Sequence, residues 1–303
     1  MRPSLIVLDG VRWQGTPVVG ERSQTLLAEL VRHSRDGVSD ERLVAELWPD
    51  ALPSHPTKAL QVVVSRTRAA TDTHVITRSA NGYRLGISAD QVDALKLAAA
   101  VQLARGRLAA GDAAGARAAA EDAVDLGRTI TLSTDEGALG DLLAAAQADA
   151  EEARDLLGVA LSRVGEHQRA LPLLTATVAK RPDDEDLVLC LLRSESAVHG
   201  PSAALRTFED YRARLADTLG TDPGAALRRL HAELLALDRP VRQGLLFDHT
   251  ELVGRDADLA ALRALVRTAR VTSIVGAGGL GKTRLAHVLG REAEQPVVHF
   301  VEL

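Results

Sequence analysis

The strongest constraint on this chain is a stretch of about 150 residues, from Asp90 to about Asp238, that is rich in Ala, Leu and Glu and has almost no strand pattern. Ala and Leu are strong helix formers, and straight-chain Glu loses little rotamer freedom in a helix. With aromatics at only 2% of the chain, any core here is built from Ala, Leu and Val. Glycine-marked turns recur at Leu108–Asp112, Arg163–Glu166 and Val198–Pro201. Gly165 and Gly200 stand 35 residues apart, close to the period of about 34 of a tetratricopeptide repeat. Gly111 and Gly165 stand 54 apart, so an insertion or an extra helix is expected there. The reading is about seven helices stacked in pairs over 89–238. Modules of this kind bind or dock other proteins and carry no chemistry.

Before this stretch, over 1–88, the pattern changes. Leu5–Leu8 and Pro17–Val19 are short β-branched runs around Gly10 and Gly15, which predicts a hairpin. Leu26, Leu27, Leu30 and Val31 then fall at helical spacing behind Ser23, a candidate cap. Ser39 is placed to cap a second helix carrying Leu43, Val44 and Leu47. A third helix is expected from Thr57 to Ala70, and Val75–Arg78 with Tyr83–Ile87 forms a hairpin turning at Asn81-Gly82. Three helices and a hairpin is the order of a winged helix-turn-helix.

Charge supports that order. The net charge of −5 divides into +2 over 1–88, −8 over 89–240 and +1 over 241–303. Between His55 and Arg84 there are five basic residues and one acidic, and phosphate binding responds to such a local field. At 100° per residue the third helix turns Leu60, Val64 and Thr67 to one side. Lys58, Val62, Ser65, Arg66 and Ala69 fall on the other, with Gln61 and Arg68 on the flank. Lys58 and Arg66 suit guanine, Gln61 adenine, and Val62 a thymine methyl. Arg68 is expected on phosphate, and Arg78 and Asn81 near an adjacent minor groove. A solvated helix face is the ordinary fate of such charges; their coincidence with the helix and hairpin order favours DNA.

Val38–Pro49, Ala59–Arg68 and Asn81–Leu85 resemble response-regulator-type winged helices, and more narrowly the Streptomyces antibiotic regulatory protein family. Asp217–Pro223 followed by Leu227–Leu235 is similar to the end of that family's bacterial transcriptional activation domain. Thr67 stands where the family usually carries Leu. The resemblance implies a transcription activator that binds promoter direct repeats as two copies side by side. It also implies recruitment of RNA polymerase holoenzyme, including its sigma factor, for secondary-metabolite genes such as those of antibiotic synthesis.

The last segment, 239–303, reads as a linker and the start of an α/β domain. Val271–Val275 is expected as a strand running into Gly276-Ala-Gly-Gly-Leu-Gly-Lys-Thr283 and a helix from Arg284 to Glu292. This is the phosphate-loop pattern in its strand–loop–helix setting. Gly276, Gly278, Gly279 and Gly281 let backbone N–H groups turn onto phosphates; Lys282 meets the β and γ oxygens, and Thr283 ligates Mg²⁺ when nucleotide is bound. With Leu252–Arg255 the segment resembles the signal-transduction ATPases fused behind such activators, so ATP or ADP with Mg is the expected cofactor of a longer parent. DNA binding requires none.

Val297–Val301 is expected as the next strand, and no acidic strand follows it. This chain is therefore expected to be a piece of a longer regulator and no enzyme, loosely docked from about Gly244 onward. The fold class is mainly α, with an α+β N-terminal part and the start of an α/β part. The alternative function is an ATPase signalling protein that uses its winged helix only for localisation or protein contacts; a third is a protein-binding scaffold. Cys190 is read as a small buried apolar residue, and His167, His199 and His231 are scattered. The N-terminus lacks a signal-peptide pattern and no apolar run nears the ~20 residues of a membrane span, so a cytoplasmic, nucleoid-associated location without membrane contact is expected.

Overall fold

The computed structural model describes residues 3–80, 82–131, 137–237, 241–243, 245, 254–293 and 297–301. It forms two compact units, Met1–Ser194 and Glu195–Leu303.

The first unit opens with an antiparallel meander of β1 (Leu5–Ile6), β2 (Arg12–Trp13) and β3 (Thr16–Pro17), with Leu5 opposite Trp13 and Arg12 opposite Pro17. The expected hairpin is thus three short strands, because Trp13 is drawn into the core and brings its own strand with it. Helix α1 (Glu21–Arg32) buries Leu26, Leu27, Leu30 and Val31. Gly20, at φ 101°, precedes it, so Ser23 lies within the first turn, buried, and is not the cap. Helix α2 (Asp40–Leu47) is capped as expected, the Arg42 backbone N–H donating to Ser39 Oγ at 3.2 Å. Helix α3 (Pro56–Ala70) starts on a proline whose missing N–H costs nothing there.

The following hairpin, β5 (Ile76–Arg78) and β6 (Gly82–Leu85), is joined by a third strand absent from the expectation, β4 (Val38–Ser39), in the order β4-β6-β5. Gly82 belongs to the strand rather than the turn: a Cβ there would sit 1.9 Å from the Val38 carbonyl oxygen, so only glycine lets β4 and β6 meet.

Seven helices follow, as expected: α4 (Asp93–Ala109), α5 (Ala113–Gly127), α6 (Ala138–Arg163), α7 (His167–Lys180), α8 (Glu185–His199), α9 (Pro201–Leu219) and α10 (Ala225–Leu237). The 54-residue glycine spacing is filled by no extra helix among the described residues; α6 is itself 26 residues long. Within the first unit α4 to α7 pack in sequence, with Ala104, Ala120, Leu161, Ala170 and Leu174 at the centre. Cys190 lies in that core, as read, and burial pushes its thiol above the ordinary range.

The N-terminal segment and the first helices of the bundle share one core. Leu5, Leu27 and Leu30 belong to the same buried cluster as Leu97, Val101, Leu142 and Ala150. Polar contacts tie the seam. Asp93, 3% exposed at the start of α4, accepts from the backbone N–H of Val7 at 2.9 Å, of Leu8 at 3.0 Å and of Ala94 at 2.8 Å. The Thr131 N–H donates to the Leu8 carbonyl at 2.9 Å, and Arg32 joins buried Glu29 at 2.6 Å to Asp141 on α6 at 2.9 Å.

In the second unit α9 and α10 pack together, with Phe208 stacked on the His231 ring at 4.2 Å. Farther on, β7 (Val241–Gln243) pairs in parallel with β8 (Val297–His299). A segment read as linker therefore supplies a strand; three residues are too few to show a pattern in sequence. Between them lie α11 (Asp256–Thr268) and α12 (Lys282–Glu292), packed through Leu259, Leu262 and Leu285. Val271–Val275 is not a strand. Val271 and Val275 are exposed while Thr272 and Ile274 are half-buried, so the alternation is real but among the described residues no neighbouring strand accepts its backbone.

Candidate nucleic-acid interface

Helix α3 has two unlike faces. Leu60, Val63, Val64 and Thr67 are buried against α1 and α2, and Lys58, Gln61, Val62, Ser65, Arg66 and Ala69 are all exposed. Val62 keeps 45% of its surface in water, an apolar residue in a polar setting. Thr67 is tolerated inside because its hydroxyl donates to the Val63 carbonyl at 2.9 Å, so no polar group is left unpaired. Five side chains of the expected reading surface thus lie together on one solvent face.

The other three expected contacts are placed differently. Arg68 turns toward the hairpin, donating from Nε at 3.0 Å and Nη2 at 2.7 Å to the Ile76 carbonyl; it braces α3 against β5. Arg78 makes a two-pronged pair with Asp40, both contacts 2.8 Å, and its guanidinium lies 4.6 Å from the centre of the Tyr83 ring. The Asp40 partnership raises the Arg78 pKa above its ordinary value. Asn81 lies outside the described residues.

Two residues that entered the sequence reading only through the local charge balance receive their places from the fold. Arg84 points outward from β6 between buried Tyr83 and Leu85, donating to Thr77 Oγ1 at 3.3 Å; the period-2 rule applied to Tyr83–Leu85 would have found it. Asp72 is the lone acid in this region. The backbone and then the side chain of His74 donate to it, which lowers its pKa from the ordinary value.

The glycine-rich loop is a second candidate. Gly279 and Gly281 hold φ of 82° and 76°, a region L side chains rarely adopt, and α12 begins at Lys282. Lys282 donates to the carbonyls of Gly276 at 2.9 Å and Ala277 at 2.7 Å, Gly278 is exposed, and Thr283 is exposed in the first turn. A cleft of about 290 Å³ lined by Arg255, Val275, Gly276, Leu280 and Lys282 adjoins it. Positive-φ glycines, a helix N-terminus and a lysine at the loop fit a phosphate chain. No cluster of three or more metal-ligating side chains occurs among the described residues.

Comparison with known families gives residues 92–235 a match to the bacterial transcriptional activator domain. The chain is 29% identical, over 88% of its length, to the regulatory protein AfsR of Streptomyces coelicolor, of which it covers 30%. It is 33% identical, over 71% of its length, to the transcriptional regulator RedD of the same organism, of which it covers 64%. The chain thus spans about a third of one curated relative and just under two thirds of the other. The chain is thus similar to Streptomyces regulatory proteins, and over residues 92–235 to the bacterial transcriptional activator domain. A solved structure, Mycobacterium tuberculosis EmbR in complex with a low affinity phosphopeptide, shares the fold over 89% of this chain and 72% of its own, with a TM-score of 0.56 at 23% identity. The mainly helical architecture around the activator domain is therefore that of a known fold. No described helix is long and apolar enough to cross a membrane.

Proposed function

We propose that this chain is the promoter-reading and polymerase-contacting part of a transcription activator, with residues 1–88 acting as a winged helix. The observation that carries the reading is the solvent face of α3, where Lys58, Gln61, Val62, Ser65 and Arg66 stand together with no acidic residue among them. Arg66 and Lys58 supply bidentate or point contacts to guanine, Gln61 a paired contact to adenine, and Val62 a methyl contact to thymine. Arg84 adds phosphate charge from the hairpin. Helices α4, α5 and α6 share the core of residues 1–88, so a DNA-bound α3 holds them at a fixed place beside the promoter, where RNA polymerase and its sigma factor are the partners. The resemblance of the sequence motifs to the Streptomyces antibiotic regulatory family implies direct-repeat operators, two copies side by side, and secondary-metabolite genes as targets.

Within this reading Gly276–Thr283 binds the phosphates of ATP or ADP, with Lys282 on the terminal phosphates and Thr283 on Mg²⁺, as a regulatory element of a longer chain. Lys282 must first leave the Gly276 and Ala277 carbonyls.

The test is a footprint on the promoters flanking the gene for this chain, with and without RNA polymerase, at two salt concentrations. Protected direct repeats whose protection is extended by polymerase support the proposal. Arg66→Ala is expected to cost about 1–3 kcal/mol and to relax sequence preference. Binding that is unchanged in Arg66→Ala, or absent at every salt, overturns it.

A further inference from the structure

One hairpin arginine is already engaged. Arg78 at the end of β5 grips Asp40 through both guanidinium nitrogens at 2.8 Å while resting on the Tyr83 ring. Asp40 opens α2 immediately after the capping Ser39, the last residue of β4, so its backbone position is fixed by α2 and by the pairing of β4 with β6. Both partners reach water: the Arg78 side chain is 54% exposed and that of Asp40 28%. A pair this open is weak and is readily exchanged for another anion. Arg68, by contrast, is turned onto a backbone carbonyl with no competing charge to release it.

We propose that Asp40 is a positioning residue that restrains DNA binding: it holds Arg78 on the protein when DNA is absent and competes with backbone phosphate for the same guanidinium when DNA arrives. The inference rests on the DNA-reading role of α3 and deepens it. Phosphate offers Arg78 the same two-pronged geometry as the carboxylate, so the exchange keeps the fork and changes only its anion. Tyr83 remains beneath the guanidinium and keeps it aimed along the hairpin during the exchange. Asp40 thus weakens sequence-independent binding, which rests on phosphate contacts, more than base reading by Lys58, Gln61 and Arg66. Its presence is expected to lower affinity for operator and for random duplex by a similar factor.

The test measures binding of the whole chain to a random duplex and to its footprinted operator across a salt series. Asp40→Asn keeps the size of the side chain and its place at the helix start. It is expected to tighten binding to random duplex about fivefold, the scale of one exposed ion pair. The plot of log K against log salt should steepen by at most about 0.9, the value of one phosphate contact that the wild type makes only in part. The decisive variant is Asp40→Asn combined with Arg78→Ala, in which the gain should vanish because the freed cation is gone. An Asp40→Asn gain that survives Arg78→Ala would reflect general loss of negative charge and would overturn the inference. Unchanged or weaker binding in Asp40→Asn would overturn it too, while a wild-type footprint would leave the DNA-reading role intact. Wild-type protein that protects no DNA would remove both.

Discussion

The N-terminal unit and the glycine-rich segment at 254–301 differ in what holds them. In the first, side chains from β1 to α6 fill one core shared by the N-terminal segment and helices α4, α5 and α6. In the second, the described core comprises Leu259, Leu262 and Leu285, and valines at 271 and 275 remain 83% and 91% exposed. The glycine-rich segment nevertheless carries the more recognisable motif. Legibility in sequence and stability in the fold are separate properties: a phosphate loop is specified by eight residues, whereas a stable unit needs apolar area from many elements at once.

The sharpest way to break this comparison is to cut each core. Leu97, fully buried on α4, packs in the cluster shared with Leu27 and Leu30. Leu97→Ala is expected to cost roughly 2–5 kcal/mol and to lower one joint unfolding transition of the first unit, followed by circular dichroism and by hydrogen exchange in α1 and α3. Leu262→Ala should leave exchange in α1 and α3 unmoved, since Leu262 belongs to a separate compact unit with its own core. A Leu97→Ala protein that loses protection in α4 while α1 keeps its own would show that the two parts fold separately. Next in size is the polar seam. Asp93→Ala strands the N–H groups of Val7 and Leu8 and is expected to cost about 1–3 kcal/mol, with β1 exchanging first. Equal loss throughout the unit would instead make Asp93 an ordinary core residue.

Much of this was legible beforehand. The seven helices of the bundle follow from Ala and Leu content and glycine spacing, and the exposed face of α3 from its 100° period, because both are local rules repeated along many residues. What was not legible depends on distant partners. Ser23 has a capping residue's chemistry, yet Gly20 starts α1 three residues earlier. Gly82 reads as a turn glycine, yet its need comes from the Val38 carbonyl, 44 residues away in the chain. Val271–Val275 has a strand's alternation without a neighbour to pair it. Asp93 looks like a helix-start acid; that it also receives Val7 and Leu8 is a tertiary fact. Arg68 and Arg78 have the right charge for DNA, and only the fold shows which intramolecular acceptor each one holds.

The smallest expected effect concerns the protonation of Asp93, and it separates two accounts of the seam. Burial raises the Asp93 pKa above the ordinary 3.8, and the N–H groups of Leu8, Val7 and Ala94 oppose that rise without cancelling it. Between 3.8 and the raised value the folded chain therefore binds more protons than the unfolded one. Stability from this group is fully present below 3.8 and is lost as pH rises through the folded value. Asp93→Asn has no such proton, so the stability difference between wild type and Asp93→Asn, read from denaturant midpoints, should be largest in acid and shrink to a plateau toward neutral pH. The opposite slope would mean that the three donors outweigh burial. The seam between the N-terminal segment and the activator domain would then be held by a charge-assisted clasp, strengthened on ionisation, and the shared apolar core would carry less of the coupling.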